Sequence, residues 1–171
     1  MSVSPIVLYP DPRLKTPCQS VVTFDDAVKS VANDLLDTMR AGPPRTVGIA
    51  APQIGAMLKI VVVDSAQNPK YPAGHGLMTL VNPRIVMHEG LHEFREGCLS
   101  IPDYTANIRR WIKINVEAQD LDGNECSLES DGFEAVVLQH EIDHVNGILF
   151  LDRIANAKTD LFQRKDRPKR G

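Results

Sequence analysis

Two histidines and a glutamate in the last quarter of the chain have the spacing of a metal site. They lie in the segment QHEIDH, residues 139–144. Residues four apart on an α-helix lie one above the other, with Cβ atoms about 6 Å apart, so His140 and His144 can bind one metal ion. Glu141 lies one step round the helix and can reach the open side of that ion. This is the H-E-x-x-H pattern of hydrolytic metal sites.

A cysteine far upstream is the candidate for a third ligand. Cys98 lies in the segment EGCLSIP, residues 96–102. A lone cysteine in such a stretch is more often a small buried hydrophobic residue than a ligand. A catalytic zinc-type site, however, needs three protein ligands and one open position. Beside the helix motif, a thiolate ligand is therefore the favoured interpretation.

A third segment, GIAAPQIG at residues 48–55, is a weaker signal. Its small residues permit a close approach of the backbone, and the side-chain amide of Gln53 could donate to a developing oxyanion. Taken alone, a surface turn explains this segment equally well.

Length and composition favour one globular domain over residues 1–171. Apolar residues make up 43% of the chain and charged residues 24%, and the formal net charge is −3. Nothing in this balance indicates sequence-specific binding of nucleic acid or attraction to an anionic membrane. We expect no secretory signal, because the first residues have neither a basic nor an apolar region, and no membrane span. Three scattered cysteines suit a reducing compartment, so a cytoplasmic location is predicted.

The C-terminal tail, from about residue 158 to residue 171, is basic. Residues 152–171 hold seven basic and three acidic side chains. A solvated terminal helix with a frayed end is the favoured interpretation. A weak contact with the ribosome is the alternative.

Apolar periodicity predicts two longer helices and one shorter one. The first runs from Asp25 or Asp26 to about Arg40. The second begins near Asp131, with Glu134 completing a capping box, and ends at Gly147. A shorter helix is expected from about residue 154 to residue 164.

The remaining segments predict β-structure. Residues 59–64 are typical of a buried strand, and residues 77–88 of a second β segment interrupted near residues 82–83. Residues 113–120 alternate, and a hairpin turn at residues 122–124 leads into residues 125–129. The fold class is therefore α+β, with mixed or antiparallel β segments around a central metal-binding helix.

Together the three motif segments resemble the signature motifs of the peptide deformylases, G-Φ-A-A-x-Q, E-G-C-L-S and Q-H-E-x-D-H. They occur here in the same chain order, and the likeness covers most of residues 5–155. Ile101-Pro102 is similar to the form common in Gram-negative bacteria and organelles. One position departs from the pattern, because Thr46 stands where the family usually has a glycine.

The resemblance implies a role for each matching residue. Cys98, His140 and His144 would be the metal ligands, and Glu141 the general base and acid. Gln53 and the backbone N–H of Leu99 would stabilise the oxyanion. The implied substrate-binding residues are Val47, Gly48, Ile49, Glu96, Gly97 and Arg110.

The implied reaction removes the formyl group from N-formyl-methionyl peptides of nascent chains and releases formate. A metal-activated water would attack the formyl carbon while Glu141 transfers the proton. One divalent metal ion is expected, natively Fe²⁺, although Zn²⁺, Ni²⁺ or Co²⁺ suit the same ligands.

Two other functions remain open from the sequence. The first is a zinc endopeptidase of the H-E-x-x-H class, although residues 145–171 contain no histidine to serve as its downstream ligand. The second is a non-catalytic metal-binding module that associates with the ribosome. A structural zinc site would need a fourth ligand, and no second cysteine lies near Cys98 in the sequence.

Overall fold

The computed structural model describes residues 2–164. Three α-helices lie in this part of the chain: α1 (Asp26–Ala41), α2 (Gly132–Val145) and α3 (Ala157–Asp160). The strands of the same part are β1 (Gly48–Ala50), β2 (Ile60–Val63), β3 (Met78–Cys98), β4 (Ile101–Gln119), β5 (Glu125–Asp131) and β6 (Leu161–Gln163). Short 3₁₀ turns occupy Pro12–Lys15, Ala51–Ile54, Ser65–Gln67 and Phe150–Arg153.

The strands form one antiparallel sheet in the order β1-β2-β3-β4-β5, and β6 pairs with β4 beyond the end of β5. Its centre is a long hairpin of β3 and β4, in which Cys98 pairs with Ile101 across a two-residue turn. Three register shifts interrupt the β3–β4 pairing, and the last lies between Gly97 and Cys98. Such bulges re-aim side chains.

Helix α2 lies at the centre of the domain and is buried on nearly every side. Its apolar residues pack with those of β1, β2 and β4 in one core cluster that includes Val61, Ile114 and Leu138. Helix α1 covers β1 and β2 through a second cluster around Leu35 and Ile49. The α+β single-domain fold is thus confirmed, with α2 as the central helix.

The predicted helices differ in how closely they match the structure. Helix α1 is confirmed, and Asp25 caps it by accepting hydrogen bonds from the N–H groups of Ala27 and Val28. Helix α2 begins and ends as predicted, with Gly147 following its end at φ +74°. None of the helices in residues 2–164 is long and apolar enough to cross a membrane.

Two predictions about helices were wrong. Asp131 precedes α2, but its side chain accepts no capping hydrogen bond, and Glu134 binds other partners instead. The expected helix over residues 154–164 is a single turn, α3, followed by strand β6. Residues Tyr104–Ala106 of β4 pair with β6. The residues expected to continue the helix therefore form backbone hydrogen bonds with a strand instead.

Strands β3 and β4 are longer than the periodicity predicted. Residues 86–93 of β3 are exposed, so they lack the apolar alternation of a half-buried strand. Pairing with β4 nevertheless continues through this segment. The predicted hairpin into β5 is confirmed, with β5 ending at Asp131.

Candidate metal centre

Cys98, His140 and His144 converge, although they come from distant parts of the chain. One possible ligand atom from each of the three lies within 4.8 Å of the other two. Cys98 Sγ is 3.2 Å from His144 Nε2, and both residues are buried. A thiol and two imidazoles at this separation can bind one divalent cation.

The end of β3 positions the cysteine. Cys98 is the last residue of the strand, directly before the tight turn into β4, and the register shift beside it redirects the backbone. Cys98 contacts α2, whose one-turn spacing places the rings of His140 and His144 edge to face with centroids 5.0 Å apart. A strand end and one helix face thus form the ligand set.

A buried ionic network fixes the orientation of His140. Its Nδ1 lies 2.8 Å from Glu96 Oε2, which leaves Nε2 free to face Cys98 and His144. Arg110 donates two hydrogen bonds to Glu96, at 2.6 and 2.9 Å, and a third to Asp143. A carboxylate on the second ring nitrogen fixes the tautomer and raises the basicity of a metal-binding histidine.

The electrostatics of this network favour an ionised Glu96. Burial alone would raise the pKa of Glu96, but hydrogen bonds from Arg110 and His140 outweigh it and hold the pKa at about 2. Burial lowers the pKa of His144 well below its usual value, so its ring is neutral and can donate a lone pair.

Glu141 differs from every other carboxylate of the site. Burial raises its pKa to about 7. Its Oε2 is buried and has no hydrogen-bond partner among the described residues. A carboxylate in this state can exchange a proton near neutral pH.

Gly48 makes room for this carboxylate. A Cβ atom at position 48 would lie 2.6 Å from Glu141 Oε1 and 2.9 Å from Glu141 Cγ. Real Cβ atoms do not approach so closely, and β1 is held in place by its pairing with β2. The glycine is therefore required by the position of Glu141.

The Gln53 amide faces the same centre. Its Oε1 accepts a hydrogen bond from Ala50 N at 2.9 Å, which turns Nε2 toward Cys98 Sγ at 3.5 Å and Ser100 Oγ at 3.2 Å. Leu99 lies in the turn that follows Cys98 and also lines the cavity. The amide is therefore held with its N–H groups toward the ligands.

A cavity of about 490 Å³ opens beside this centre. Its lining contains nine of the residues to which the resemblance assigned a role, namely Val47, Gly48, Gln53, Glu96, Gly97, Cys98, Leu99, His140 and Glu141. Thr46 also lines it, with its hydroxyl donating to Pro43 O at 2.7 Å.

Two expected substrate contacts, Ile49 and Arg110, do not line this cavity. The Ile49 side chain is fully buried in the core under α1. Arg110 is 2% exposed and lies behind Glu96, so it can influence the cavity through Glu96 and His140. Their implied substrate-binding role stays a prediction.

Sequence reasoning missed several residues that complete the site. Asp143 binds both Arg110 and Arg153, and its place between the two histidines in the motif was the available signal. Gln139 accepts from Trp111 N at 3.0 Å and donates to Trp111 O at 2.8 Å, which ties α2 to β4. Arg164 also lines the cavity, for which no local pattern gave a signal.

The ligand set fits a catalytic metal ion. Within residues 2–164, the group that can hold a cation consists of three residues, so one position would stay open for water or substrate. Glu141, whose buried Oε2 has no hydrogen-bond partner among the described residues, lines the same cavity as Cys98 and His140. An open position beside a carboxylate is the arrangement of a hydrolytic site and not of a closed structural one.

Comparison with known proteins gives a consistent result. The sequence model of the family "Polypeptide deformylase" matches residues 3–160. Peptide deformylases from Desulfotalea psychrophila and Brucella suis are 41% and 42% identical over 96% of this chain and 95% and 92% of their own lengths. The crystal structure of a peptide deformylase from Legionella pneumophila superposes with a TM-score of 0.82 at 39% identity, covering 92% of this chain and 89% of that one.

These likenesses extend over nearly the whole chain and include the residues that form the site. The endopeptidase and the non-catalytic module are not supported. With a buried cysteine and two histidines converging beside an unpartnered glutamate, the chain belongs to the polypeptide deformylase family, whose members are hydrolases that remove N-formyl groups.

Proposed function

We propose that this chain removes the formyl group from N-formyl-methionyl nascent chains at the centre formed by Cys98, His140 and His144, with Glu141 as the proton carrier. The observation that carries the proposal is the buried Glu141 carboxylate, which has an unpartnered oxygen and belongs to a residue that lines the same cavity as Cys98 and His140. Membership of the family supports the reaction type, and the geometry supports the roles.

Cys98, His140 and His144 would hold one divalent ion, for which we propose Fe²⁺ as the native metal. When bound, such an ion supplies an acidified water and a positive charge beside the reacting carbonyl. The soft thiolate and two imidazoles that support this choice suit Zn²⁺, Ni²⁺ and Co²⁺ as well. Metal analysis of protein prepared without oxygen distinguishes them, and iron at one equivalent is the expected result.

Glu141 would accept a proton as the water attacks and would pass it to the departing nitrogen. A pKa of about 7 suits both steps, because neither protonation state is strongly favoured at neutral pH. The pair of Glu96 and Arg110 would hold His140 in place throughout, since Glu96 stays ionised.

Gln53 Nε2 and the backbone N–H of Leu99 would donate hydrogen bonds to the oxyanion. The orientation of Gln53 by Ala50 N supports this role, because the donor is held in position before the substrate arrives. Loss of one oxyanion donor typically costs about 2.7–4 kcal/mol of transition-state stabilisation.

Strand β1 would bind the peptide. It pairs with β2 at one edge and ends the strand order of the sheet, so its other edge can accept an added strand. Val47 and Gly48 line the cavity at this edge, and Gly97 lines it on the side of β3. We propose that the space beyond the formyl hydrogen is too small for the methyl of an acetyl group, and the close approach of Gly48 to Glu141 supports this.

The expected partner is the nascent chain, and we propose that the enzyme meets it in the cytoplasm. Cys18, Cys98 and Cys126 are free thiols, which agrees with a reducing compartment. A weak ribosome contact through the basic tail is a further part of this proposal. The first part of the predicted tail, residues 158–164, contains most of α3, all of β6 and Arg164. The rest of the tail, residues 165–171, lies outside the described residues.

Deletion of residues 165–171 tests the ribosome contact and leaves β6 intact. Co-sedimentation with ribosomes should fall, while turnover of a short formyl peptide should not change. Equal sedimentation of the full and shortened chains would contradict the contact.

One assay tests the proposed reaction. The metal-loaded enzyme is incubated with three peptides. Formate is measured with formyl-Met-Ala-Ser, acetate with acetyl-Met-Ala-Ser, and new amino termini with a peptide that can be cleaved at an internal bond. Formate release alone is expected. Cleavage of the internal bond without formate release would contradict the proposal.

A further inference from the structure

We infer that the C-terminal strand supplies a specificity-determining group, Arg164, which together with Arg95 binds an acidic side chain of the peptide downstream of formyl-methionine. This inference rests on the proposed function and adds a preference that it does not contain. Both residues line the cavity and are exposed, and we call this exposed side of the cavity its mouth.

Backbone pairing fixes the position of Arg164. Strand β6 pairs with Tyr104–Ala106 of β4, and Arg164 N donates to Asp103 O at 2.8 Å, which continues the pairing one residue further. The side chain then reaches Gly97, where an added Cβ would overlap Arg164 Nη2. The guanidinium therefore occupies the space that a larger residue before the metal-binding cysteine would fill.

The same strand fixes the second arginine. The guanidinium carbon of Arg95 lies 3.5 Å from the ring centroid of Phe162 in β6, and Arg95 Nε donates to Asn107 Oδ1 at 2.7 Å. Cation–π stacking holds the group in one orientation while it keeps its charge. Strand β6 thus orders Arg95 through Phe162 and positions Arg164, the residue that follows the strand.

No carboxylate within residues 2–164 neutralises the charge at this mouth. Among residues 2–164, neither Arg95 nor Arg164 forms an ion pair with a carboxylate. The acidic residues that line the cavity, Glu96 and Glu141, are buried deeper, and Glu96 is already paired with Arg110. Two oriented, unpaired guanidinium groups complement a carboxylate, which they can bind with paired N–H donors.

The occupant that fits is an acidic side chain of the substrate. An extended peptide that adds to β1 must leave the cavity past its mouth, and successive residues advance by about 3.3 Å. Residues that follow formyl-methionine would therefore pass Arg164, and positions three and four are the first that extend beyond the metal centre. A phosphate of ribosomal RNA is the competing ligand, and the test separates the two.

The test uses C-terminally amidated formyl-Met-Ala peptides that carry Glu, Gln or Lys at position three or four. The wild type should process the Glu peptides with a kcat/KM about three- to fivefold above the Gln peptides, mainly through KM, as for an exposed ion pair. Arg164→Gln should reduce this ratio to about one, and Arg164→Lys should retain part of it. Added salt should reduce the wild-type ratio, because it screens exposed charges.

Arg84→Gln is the matched control. Arg84 is exposed, lies on the same strand as Arg95, and pairs with Glu117 near the opposite end of β3. Its replacement by Gln removes one positive charge, as Arg164→Gln does, but far from the cavity. This variant should keep the wild-type ratio. Equal kcat/KM for Glu and Gln peptides in the wild type, or an unchanged ratio in Arg164→Gln, would overturn the inference.

Two further outcomes also decide the matter. An equal loss for every peptide in Arg164→Gln would show a role of β6 in stability, and loss of ribosome binding with an unchanged peptide ratio would assign the arginine to RNA. Either result overturns the inference. Failure of the wild type to release formate from any peptide would instead contradict the proposed function.

Discussion

Helix α2 carries two buried glutamates, each close to a histidine, and they are in opposite chemical states. Glu134 in the first turn accepts hydrogen bonds from His75 N at 2.7 Å, Ser130 Oγ at 2.8 Å and Ser65 Oγ at 3.3 Å, and also contacts His75 Nδ1. Glu141, two turns later, has an oxygen with no partner among the described residues.

The difference in hydrogen bonding sets the difference in pKa. Burial would raise the pKa of Glu134, but its hydrogen bonds outweigh burial and lower it. For Glu141, burial dominates and raises the pKa to about 7. The same residue type on one helix therefore serves as a structural anchor at one end and, in the proposed function, as a proton carrier at the other.

The two sites also differ in what they hold together. Glu134 anchors the loop of residues 65–77 to α2, and stacking of Tyr71 on Phe133 with centroids 4.3 Å apart continues that contact. Glu141 anchors nothing and faces the cavity. A buried carboxylate without partners is costly for folding, and its presence here points to chemistry.

Substitution of the two glutamates should give opposite results, and Glu141→Gln should have the largest effect. A carboxamide cannot carry the proton, so kcat should fall by about 10²- to 10⁴-fold, while bound metal stays near the wild-type level. Steady-state formate release and elemental analysis measure the two quantities. Glu134→Gln is the matched control and should retain most of its kcat per bound metal. Turnover near the wild-type level in Glu141→Gln would end the assignment.

Gly48→Ala should disturb Glu141 without touching a metal ligand. The new Cβ would lie 2.6 Å from Glu141 Oε1, so the carboxylate must move, and a displacement of about 1 Å can cost about 100-fold in rate. We expect a loss of this order in kcat with unchanged metal content. A wild-type rate would show that the position of Glu141 is not critical.

Glu134→Gln should mainly lower stability, by about 1–3 kcal/mol at pH 7, because buried hydroxyl and N–H donors lose a charged acceptor. The folded pKa of Glu134 lies below its unfolded value, so its contribution is present above the unfolded pKa. That contribution is lost as the pH falls through the folded pKa. Urea unfolding of the wild type and Glu134→Gln at pH 7 and near pH 4 should show that their difference in unfolding free energy is smaller at the lower pH. A difference that grows at the lower pH would contradict this.

His75→Ala should have the smallest effect. The ring is half exposed and its backbone N–H still reaches Glu134, so the loss in unfolding free energy should stay below about 1 kcal/mol. Urea unfolding measures it, and activity should not change. A loss as large as that of Glu134→Gln would show that the ring, and not the glutamate, is the anchor.

The comparison of these two glutamates also shows what the sequence could predict. Glu141 stands between two histidines at helical spacing, so local periodicity was sufficient to predict its place beside the ligand set. Glu134 matched a capping box, but its partners Ser65 and His75 lie 69 and 59 residues away, and no local pattern encodes such contacts.

The same limit applies to the strands and to the network beneath the site. The exposed part of β3 has no apolar alternation, so the sequence pattern did not predict the full length of this strand. That length is set by cross-strand pairing with β4. Arg110 and Glu96 are joined by that register, and Arg164 reaches the cavity through the pairing of β6 with β4. Helix α1, with its cap and its single apolar face, needed no such information.

X-ray absorption spectroscopy of the metal-loaded protein tests most directly whether one cation is held by Cys98, His140 and His144. For the zinc form we predict one sulfur at about 2.3 Å and two imidazole nitrogens at about 2.0–2.1 Å, and loss of the sulfur contribution in Cys98→Ser. A first shell without sulfur in the wild type, at full metal occupancy, would contradict the account.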